Sequence, residues 1–304
     1  MMIRPASFRM NEQTAVNNAY QQEGSDETDT VKQAQEEFDG VVEALRNEGV
    51  NVAVYDDDEA ADTPDALFPN NWVSFHADGR IGLYPMFAVN RRRERRESLL
   101  HALAEDFGLE VEEFVDFTEF EDHDVFLEGT GSLILDRVHR IVYAAVGPRT
   151  DLQAAAQWAE VFDYRLVTFT AVQTTGDQKA PIYHTNVMLA IGTGWAVVCP
   201  DIISDVKERN AVLNSLKDTG HRVVEIRPEQ VNGFAGNVLE VRNEQDAPII
   251  AMSSAAHAAF DSQQREVLSE YAALVHAPIP TIERLGGGSV RCMLAEVFLP
   301  SIAP

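Results

Sequence analysis

The sequence holds one thiol, one imidazole and one carboxylate whose positions obey a common spacing. Cys292 follows a glycine run in Gly286-Gly287-Gly288-Ser289-Val290-Arg291-Cys292, and an apolar run, Met293 to Phe298, comes after it. Four earlier segments have the same form, a polar side chain and then an apolar stretch. They are Asn71 in PNNWVSF, Glu128 in LEGTGSLIL, His184 in YHTNVMLAI and Asn237 in GNVLEV. Successive members are 57, 56, 53 and 55 residues apart. So regular a period implies one supersecondary unit repeated five times. If each unit aims its polar residue at a shared axis, a carboxylate, an imidazole and a thiol meet there. That is the equipment of a cysteine-nucleophile enzyme, in which the imidazole moves protons and the thiolate attacks.

The elements that must position these residues keep the same register. Apolar residues at helical spacing recur between the polar ones. Phe38, Val41, Val42 and Leu45 form the first set, closed by Gly49 as a C-cap, and Leu99, Leu100, Leu103 and Phe107 the second. Leu152, Ala155, Ala159 and Phe162 form the third, with Thr150 as N-cap. Val206, Leu213 and Leu216, capped by Ser204, form the fourth, and Phe260, Val267, Leu268, Tyr271 and Leu274 the fifth. A short strand-like run follows each helix: NVAVY, LEVEEF, YRLVTF, RVVEI and TIERL. The expectation is one closed α/β unit rather than the two domains that 304 residues would ordinarily suggest.

Composition narrows the function classes. The net charge is −25, from 49 acidic and 24 basic residues. A field of that sign opposes nucleic acid and anionic membrane surfaces, because both carry phosphate. Acidic surplus with few lysines fits a halophilic source and an ordinary acidic cytosolic protein equally. No run approaches the roughly 20 apolar residues that span a bilayer, and the first residues lack the apolar core of a signal peptide. The chain reads as soluble and cytoplasmic. Two cysteines are no disulfide framework. Cys199, in WAVVCP, reads as a buried inert thiol. Glu121-Asp122-His123-Asp124 has metal-type side chains but reads as a solvated acidic loop. The arginine-rich run from Arg91 to Arg96 reads as a helix start paired with surface acids. The glycines 286–288 precede a strand-like run and lack the phosphate-loop pattern, so they read as room for close backbone approach beside the thiol.

The ordered segments RPASFRMNEQTAVNNAYQ, TPDALFPNNWVSFH, FLEGTGSLIL, VGPRTD, PIYHTNVMLAIG, FAGNVLEV and GGGSVRCMLAEVF resemble the guanidine-modifying superfamily. That group includes arginine deiminase, dimethylarginine dimethylaminohydrolase, succinylarginine dihydrolase and glycine amidinotransferase. The bacterial arginine-deiminase-related, citrulline-utilisation branch is the most similar. The resemblance covers nearly the whole chain. It implies a pentein fold, a pseudo-fivefold five-bladed α/β propeller, with residues 1–304 as one domain of five ββαβ-like modules. It implies no cofactor and no metal, a small guanidino or ureido substrate, and leaves a homodimer open. Residue by residue, Cys292 matches the nucleophile, His184 the acid and base, and Glu128 the carboxylate beside the guanidinium. Arg149 matches an arginine that grips a substrate carboxylate, although it can equally bridge to Asp151. Phe68, Asn71, Asn186 and Asn237 match substrate-lining positions, the asparagines also suiting turns. The segment from Arg9 to Tyr20 is in the place of a lid.

Two positions depart from the deiminase pattern. Asn71 stands where those enzymes use aspartate, and Asn186 stands in their His-x-Asp pair. An amide both donates and accepts, so it suits a neutral ureido group as well as a cation. The departures point to an enzyme that accepts a ureido species or hydrolyses arginine twice. Amidino transfer to an amine, or arginine binding without turnover, are the competing expectations.

Overall fold

Helical and strand-like periods alternate along the chain, and the computed structural model folds them as a mixed α/β architecture. It describes residues 1–22, 27–175 and 178–302. Strand β1 (Met2–Arg4) pairs in parallel with β2 (Val54–Asp56), and α1 (Glu12–Ala15) and the long α2 (Glu27–Asn47) lie between them in sequence. Four three-stranded sheets of one plan follow among the described residues. Two strands pair antiparallel, the chain leaves through helix, and a third strand returns parallel to the second. The helical crossover is what a parallel return requires.

The first of these sheets joins β3 (Val73–Phe75), β4 (Arg80–Leu83) and β5 (Glu113–Asp116) around α3 (Glu97–Phe107). After the short α4 (Gly129–Ser132), β6 (Leu133–Asp136), β7 (Ile141–Ala145) and β8 (Arg165–Phe169) enclose α5 (Leu152–Phe162). A hairpin of β9 (Val172–Thr175) and β10 (Gln178–Pro181) comes next. Then β11 (Leu189–Gly192), β12 (Trp195–Val198) and β13 (Arg222–Glu225) surround α6 (Val206–Asp218). After α7 (Pro228–Asn232), β14 (Leu239–Arg242), β15 (Pro248–Ser253) and β16 (Ala273–Ala277) close around α8 (Ser254–Ala259) and α9 (Ser262–Ser269). Helix α10 (Pro280–Gly286) then leads towards Cys292.

The expected helices form, with corrections at their ends. Asp151, not Thr150, caps α5 by accepting from Gln153 and Ala154 N–H. Asp205, not Ser204, caps α6 in the same way. A carboxylate at this position also meets the positive end of the helix dipole. Gly49 has a left-handed φ of 80° and donates its N–H to the Arg46 carbonyl, as a C-terminal stop does. The fifth unit differs most. Its helix breaks between Ala259 and Ser262, and Leu274 belongs to β16. TIERL is not a strand but most of α10, because Pro280 fixes the first turn and Gly287 ends it with φ 64°. The apolar run after Cys292 forms no named strand. Its Ala295 instead exchanges backbone hydrogen bonds with Met1, at 2.8 and 3.0 Å.

The units pack through their helices. Helix α5 buries Ala154, Ala155, Trp158, Ala159 and Phe162 on one face. Fully burying a large apolar side chain of this kind is worth roughly 1.5–3 kcal/mol. Trp158 also donates to Tyr84 Oη at 2.8 Å, and Tyr84 Oη meets Ser74 Oγ at 2.6 Å, so the bond ties the second three-stranded sheet to the first. No helix is long and apolar enough to cross a membrane among the described residues.

Candidate active site

The polar residues of the series sit where a turn hands the chain to the first strand of a sheet. Asn71 ends the 3-10 turn Pro69–Asn71 before β3, and Glu128 precedes α4 and β6. His184 precedes the 3-10 turn Thr185–Val187 before β11, and Asn237 precedes β14. Cys292 lies in the 3-10 turn Val290–Met293. All five are buried, and hydrogen bonds link four of them. His184 Nε2 meets Glu128 Oε2 at 2.8 Å. Cys292 Sγ accepts from Asn186 Nδ2 and Asn237 Nδ2, each at 3.3 Å. Asn237 Nδ2 also donates to the Asn186 carbonyl at 3.1 Å, which fixes one amide against the other. Two N–H donors aimed at sulfur are set to hold an anion there.

A cavity of about 10 Å³ joins the groups. Cys292, His184, Asn71, Phe68, Asp65, Arg91 and Arg149 line it, with Gly286 to Gly288 and Tyr183 on the wall. Asn186 and Asn237 are not on that wall; their contact is the sulfur. Glu128 stands behind His184, and its other oxygen accepts Phe87 N–H at 3.0 Å. Glycine is required at position 131, since a Cβ there would lie 2.5 Å from Asn71 Nδ2 and 3.0 Å from His184 Cε1. The backbone therefore passes directly between the two site residues.

Sequence reading had missed the electrostatic frame. Arg91 is buried rather than on the surface. It makes paired bonds of 2.9 Å to both Glu94 oxygens and donates to Asn71 Oδ1 at 2.8 Å. Asp65 Oδ2 and Glu128 Oε2 each lie 3.8 Å from its guanidinium. Three others of that run do pair with acids, Arg95 and Arg92 with Glu121 and Arg96 with Asp57, while Arg93 donates to the Asn90 and Asp62 carbonyls. Glu121, read as loop, thus holds two cations. Asp65 is buried and takes bonds from Asn11 and Thr14 on Oδ2, while Oδ1 has no hydrogen-bond partner among the described residues. Its sequence signal was only its place in the PDALF segment beside Phe68.

Arg149 does not bridge to Asp151. Its guanidinium bonds Asn17 Oδ1 and the Thr14 carbonyl, at 2.9 Å each, and lies 3.5 Å from Glu128 Oε2. Thr14 and Asn18 line the cavity, and Asn18 and Gln21 donate to the Gly286 carbonyl. The segment from Asn11 to Gln21 therefore covers the site. Cys199, the other thiol, is buried and pushed up to about 11 by burial, as an inert thiol would be.

Burial holds His184 neutral, its pKa lowered to about 4 although Glu128 pulls it upward. For Glu128, burial pushes upward, but Arg149, His184 and Arg91 outweigh it and hold the carboxyl well below the usual range. The sign of the linkage follows. An unfolded histidine takes up a proton near pH 6.5, whereas folded His184 resists until about 4. Stability is therefore full above pH 6.5 and falls as the pH drops towards 4. At about 1.4 kcal/mol for each tenfold change in proton affinity, the contribution is about 3 kcal/mol. His184→Gln should reduce the fall in denaturant midpoint between pH 7 and 4.5, leaving a comparable part due to buried His76, whose pKa burial lowers to about 3. An unchanged slope in the variant would show that His184 titrates normally.

Comparison with known proteins adds the family. The family model described as N,N dimethylarginine dimethylhydrolase, eukaryotic, matches residues 4–299. The chain belongs to this family. Comparison with curated protein sequences gave no match. Among solved structures, the apo form of ArgZ, an arginine dihydrolase from the ornithine-ammonia cycle in cyanobacteria, superposes with a TM-score of 0.74 at 18% identity. That match covers 99% of this chain and 40% of ArgZ, so the chain spans well under half of the full-length protein. A substrate-bound mutant of the ArgZ N-terminal domain matches over 98% of both chains, with a TM-score of 0.71 and 17% identity. A dimethylarginine dimethylaminohydrolase mutant carrying an S-methyl-L-thiocitrulline adduct gives 0.62 at 14% identity, over 96% of this chain and 98% of that one. At these identities the likeness concerns the fold: the chain has the mixed α/β fold of these pentein enzymes. The N,N dimethylarginine dimethylhydrolase family lies within the guanidine-modifying superfamily that the sequence motifs resembled.

Proposed function

We propose that this protein is a cysteine hydrolase that cleaves C–N bonds of a guanidino or ureido amino acid of the arginine and citrulline class. The observation that carries the reading is one cavity lined by Cys292, His184 and Asp65, whose Oδ1 has no hydrogen-bond partner among the described residues. A cationic substrate supplies the missing partner for Asp65. The Cys292 thiol gives its proton to His184 as the sulfur attacks the guanidinium carbon, and the C–N bond breaks as His184 passes that proton to the leaving nitrogen, which departs as ammonia or an amine. The S-alkylthiouronium left on sulfur is then attacked by water. His184 takes the water's proton, the C–S bond breaks, and the thiolate returns with a ureido product. Glu128 orients His184 for both transfers. Arg149 offers the cation for a substrate carboxylate, Phe68 packs beside the reacting group, and the Asn186 and Asn237 amides hold the sulfur. The Asn71 amide, its carbonyl held by Arg91, lines the cavity for a neutral ureido group as well as for a cation.

The scaffold in this reading is one five-module pentein domain. Four modules are the three-stranded sheets. The fifth is divided between the chain's two ends, with β1, α2 and β2 beside the segment that follows Cys292. The enzyme works in the cytoplasm, and its acidic surface suits either ordinary or concentrated salt. A cavity this small favours water over a bulky amine as the acceptor.

Purified protein should be offered L-arginine, L-citrulline and methylated arginines separately, with ammonia, amines and amino acids quantified. Ornithine with two ammonia per arginine identifies a dihydrolase that also consumes citrulline. Citrulline with one ammonia, or with a methylated amine, identifies a single hydrolysis. Unchanged substrate in every case would overturn the proposal.

A further inference from the structure

We propose that Asp136, His139 and His221 form a zinc-type transition-metal site that links two neighbouring sheets. Asp136 ends β6, His139 lies in the turn to β7, and His221 joins α6 to β13. One ligand atom from each lies within 4.8 Å of the other two. His139 Nδ1 is 2.9 Å from Asp136 Oδ2, and His221 Nε2 is 4.0 Å from the same oxygen. A tetrahedral zinc ion with bonds of about 2.0–2.2 Å places its ligand atoms roughly 3.4 Å apart. The two contacts to Asp136 need adjustments of about half an ångström, and the histidine nitrogens, within 4.8 Å of each other, need to close further. His139, whose side chain is 40% exposed, is free to make them.

Two further features separate this trio from an ordinary turn. His139 N–H donates to Asp136 Oδ1 at 3.0 Å, so the aspartate also closes the turn, but that accounts for neither His221 nor the burial of both groups. The second feature is Thr219. Its hydroxyl hydrogen points to the Ser215 and Leu216 carbonyls, both at 3.0 Å, which leaves the oxygen to accept from His221 Nδ1 at 2.8 Å. A proton on Nδ1 leaves Nε2 with its lone pair towards Asp136 and His139. Fixing a ligand histidine's tautomer through its other nitrogen is the usual outer support of a metal centre. Nearby cations are engaged elsewhere: Arg137 stacks on Phe298, Arg140 on Tyr164, and Arg165 bonds Ser215 Oγ. Two imidazoles and one carboxylate suit zinc, with water completing the set. The ion would clip the β6–β7 turn to the α6–β13 junction. It lies at the end of β6 away from Glu128, so it stands apart from the thiol chemistry.

The test uses metal-stripped protein in a Cys292→Ser background, which removes the active-site thiol as a competing ligand. Zinc is titrated against a chromophoric chelator, and melting temperature is followed with and without zinc. The expected result is one zinc per chain and a zinc-dependent rise in melting temperature. His139→Ala, at an exposed side chain, should weaken binding at least ~10-fold and remove the rise, and Thr219→Val should weaken it by ~10-fold or more with the fold intact. No saturable zinc site, or equal binding by the His139→Ala protein, would overturn the proposal. In the otherwise wild-type chain, His139→Ala should leave ammonia release unchanged.

Discussion

Cys292→Ser should cut product formation by at least ~10⁴-fold while leaving the melting temperature nearly unchanged. The stability half follows from packing. Serine is slightly smaller than cysteine, and its hydroxyl can accept from the same two amides, Asn186 and Asn237. The activity half follows from the base available. An alcohol needs far stronger activation than a thiol, and among the described residues the one imidazole on the cavity wall is His184, which burial has lowered to about 4. Acid quench during turnover should give a covalently heavier wild-type chain by mass spectrometry and an unmodified variant. A variant that keeps turnover within tenfold of wild type would remove Cys292 from the mechanism.

The largest loss of stability is expected at Arg91. Its guanidinium is the common partner of Glu94, Asp65, Glu128 and the Asn71 carbonyl, all buried. Burial raises the Glu94 carboxyl, and the paired bonds from Arg91 work against it. Arg91→Met keeps the volume of the side chain but leaves three carboxylates facing one another without their cation. Breaking a buried ion pair from one side typically costs about 3–5 kcal/mol. Chemical denaturation should report a loss of that order. The double change Arg91→Met with Glu94→Leu should recover part of it, since an apolar pair replaces an ionic one at less cost than a broken pair. A single-variant loss below ~1 kcal/mol would mean that the cluster is not structural.

These two positions mark how much the sequence disclosed. Cys292, His184 and Glu128 were legible because each opens a repeat, and a period survives any change of surface residues. The strands and helices of the middle units were legible for the same reason, since a core face must recur at 2.0 or 3.6 residues. Arg91 was not legible. It stands in a run of arginines, and which one turns inward depends on Asp65 and Glu128, tens of residues away in sequence. Asp65, Thr14 and Asn17 were silent likewise, because they belong to no repeat and gain meaning only from Arg149 and Arg91. The last unit misled for a different reason. TIERL alternates like a strand, but the proline before it sets a helical first turn, and the glycine after it permits the stop.

The cover over the cavity has a kinetic consequence. Asn11, Thr14 and Asn17 hold it down through the Asp65 carboxylate and the Arg149 guanidinium, and Asn18 and Gln21 through the Gly286 carbonyl. Bonds to a charged partner are worth about 1.5–3 kcal/mol each, but water can replace them one at a time. A cavity of about 10 Å³ has no room for a substrate of amino-acid size, so its walls, Thr14 and Asn18 among them, must shift before one binds. If the proposed turnover holds, the cover loosens and closes with each substrate, and the first twenty or so residues share with the thiol in setting the pace. Asp65 and Arg149 are buried, so salt screens their bonds to the cover little, and that rhythm should change little with ionic strength even in a molecule so heavily anionic.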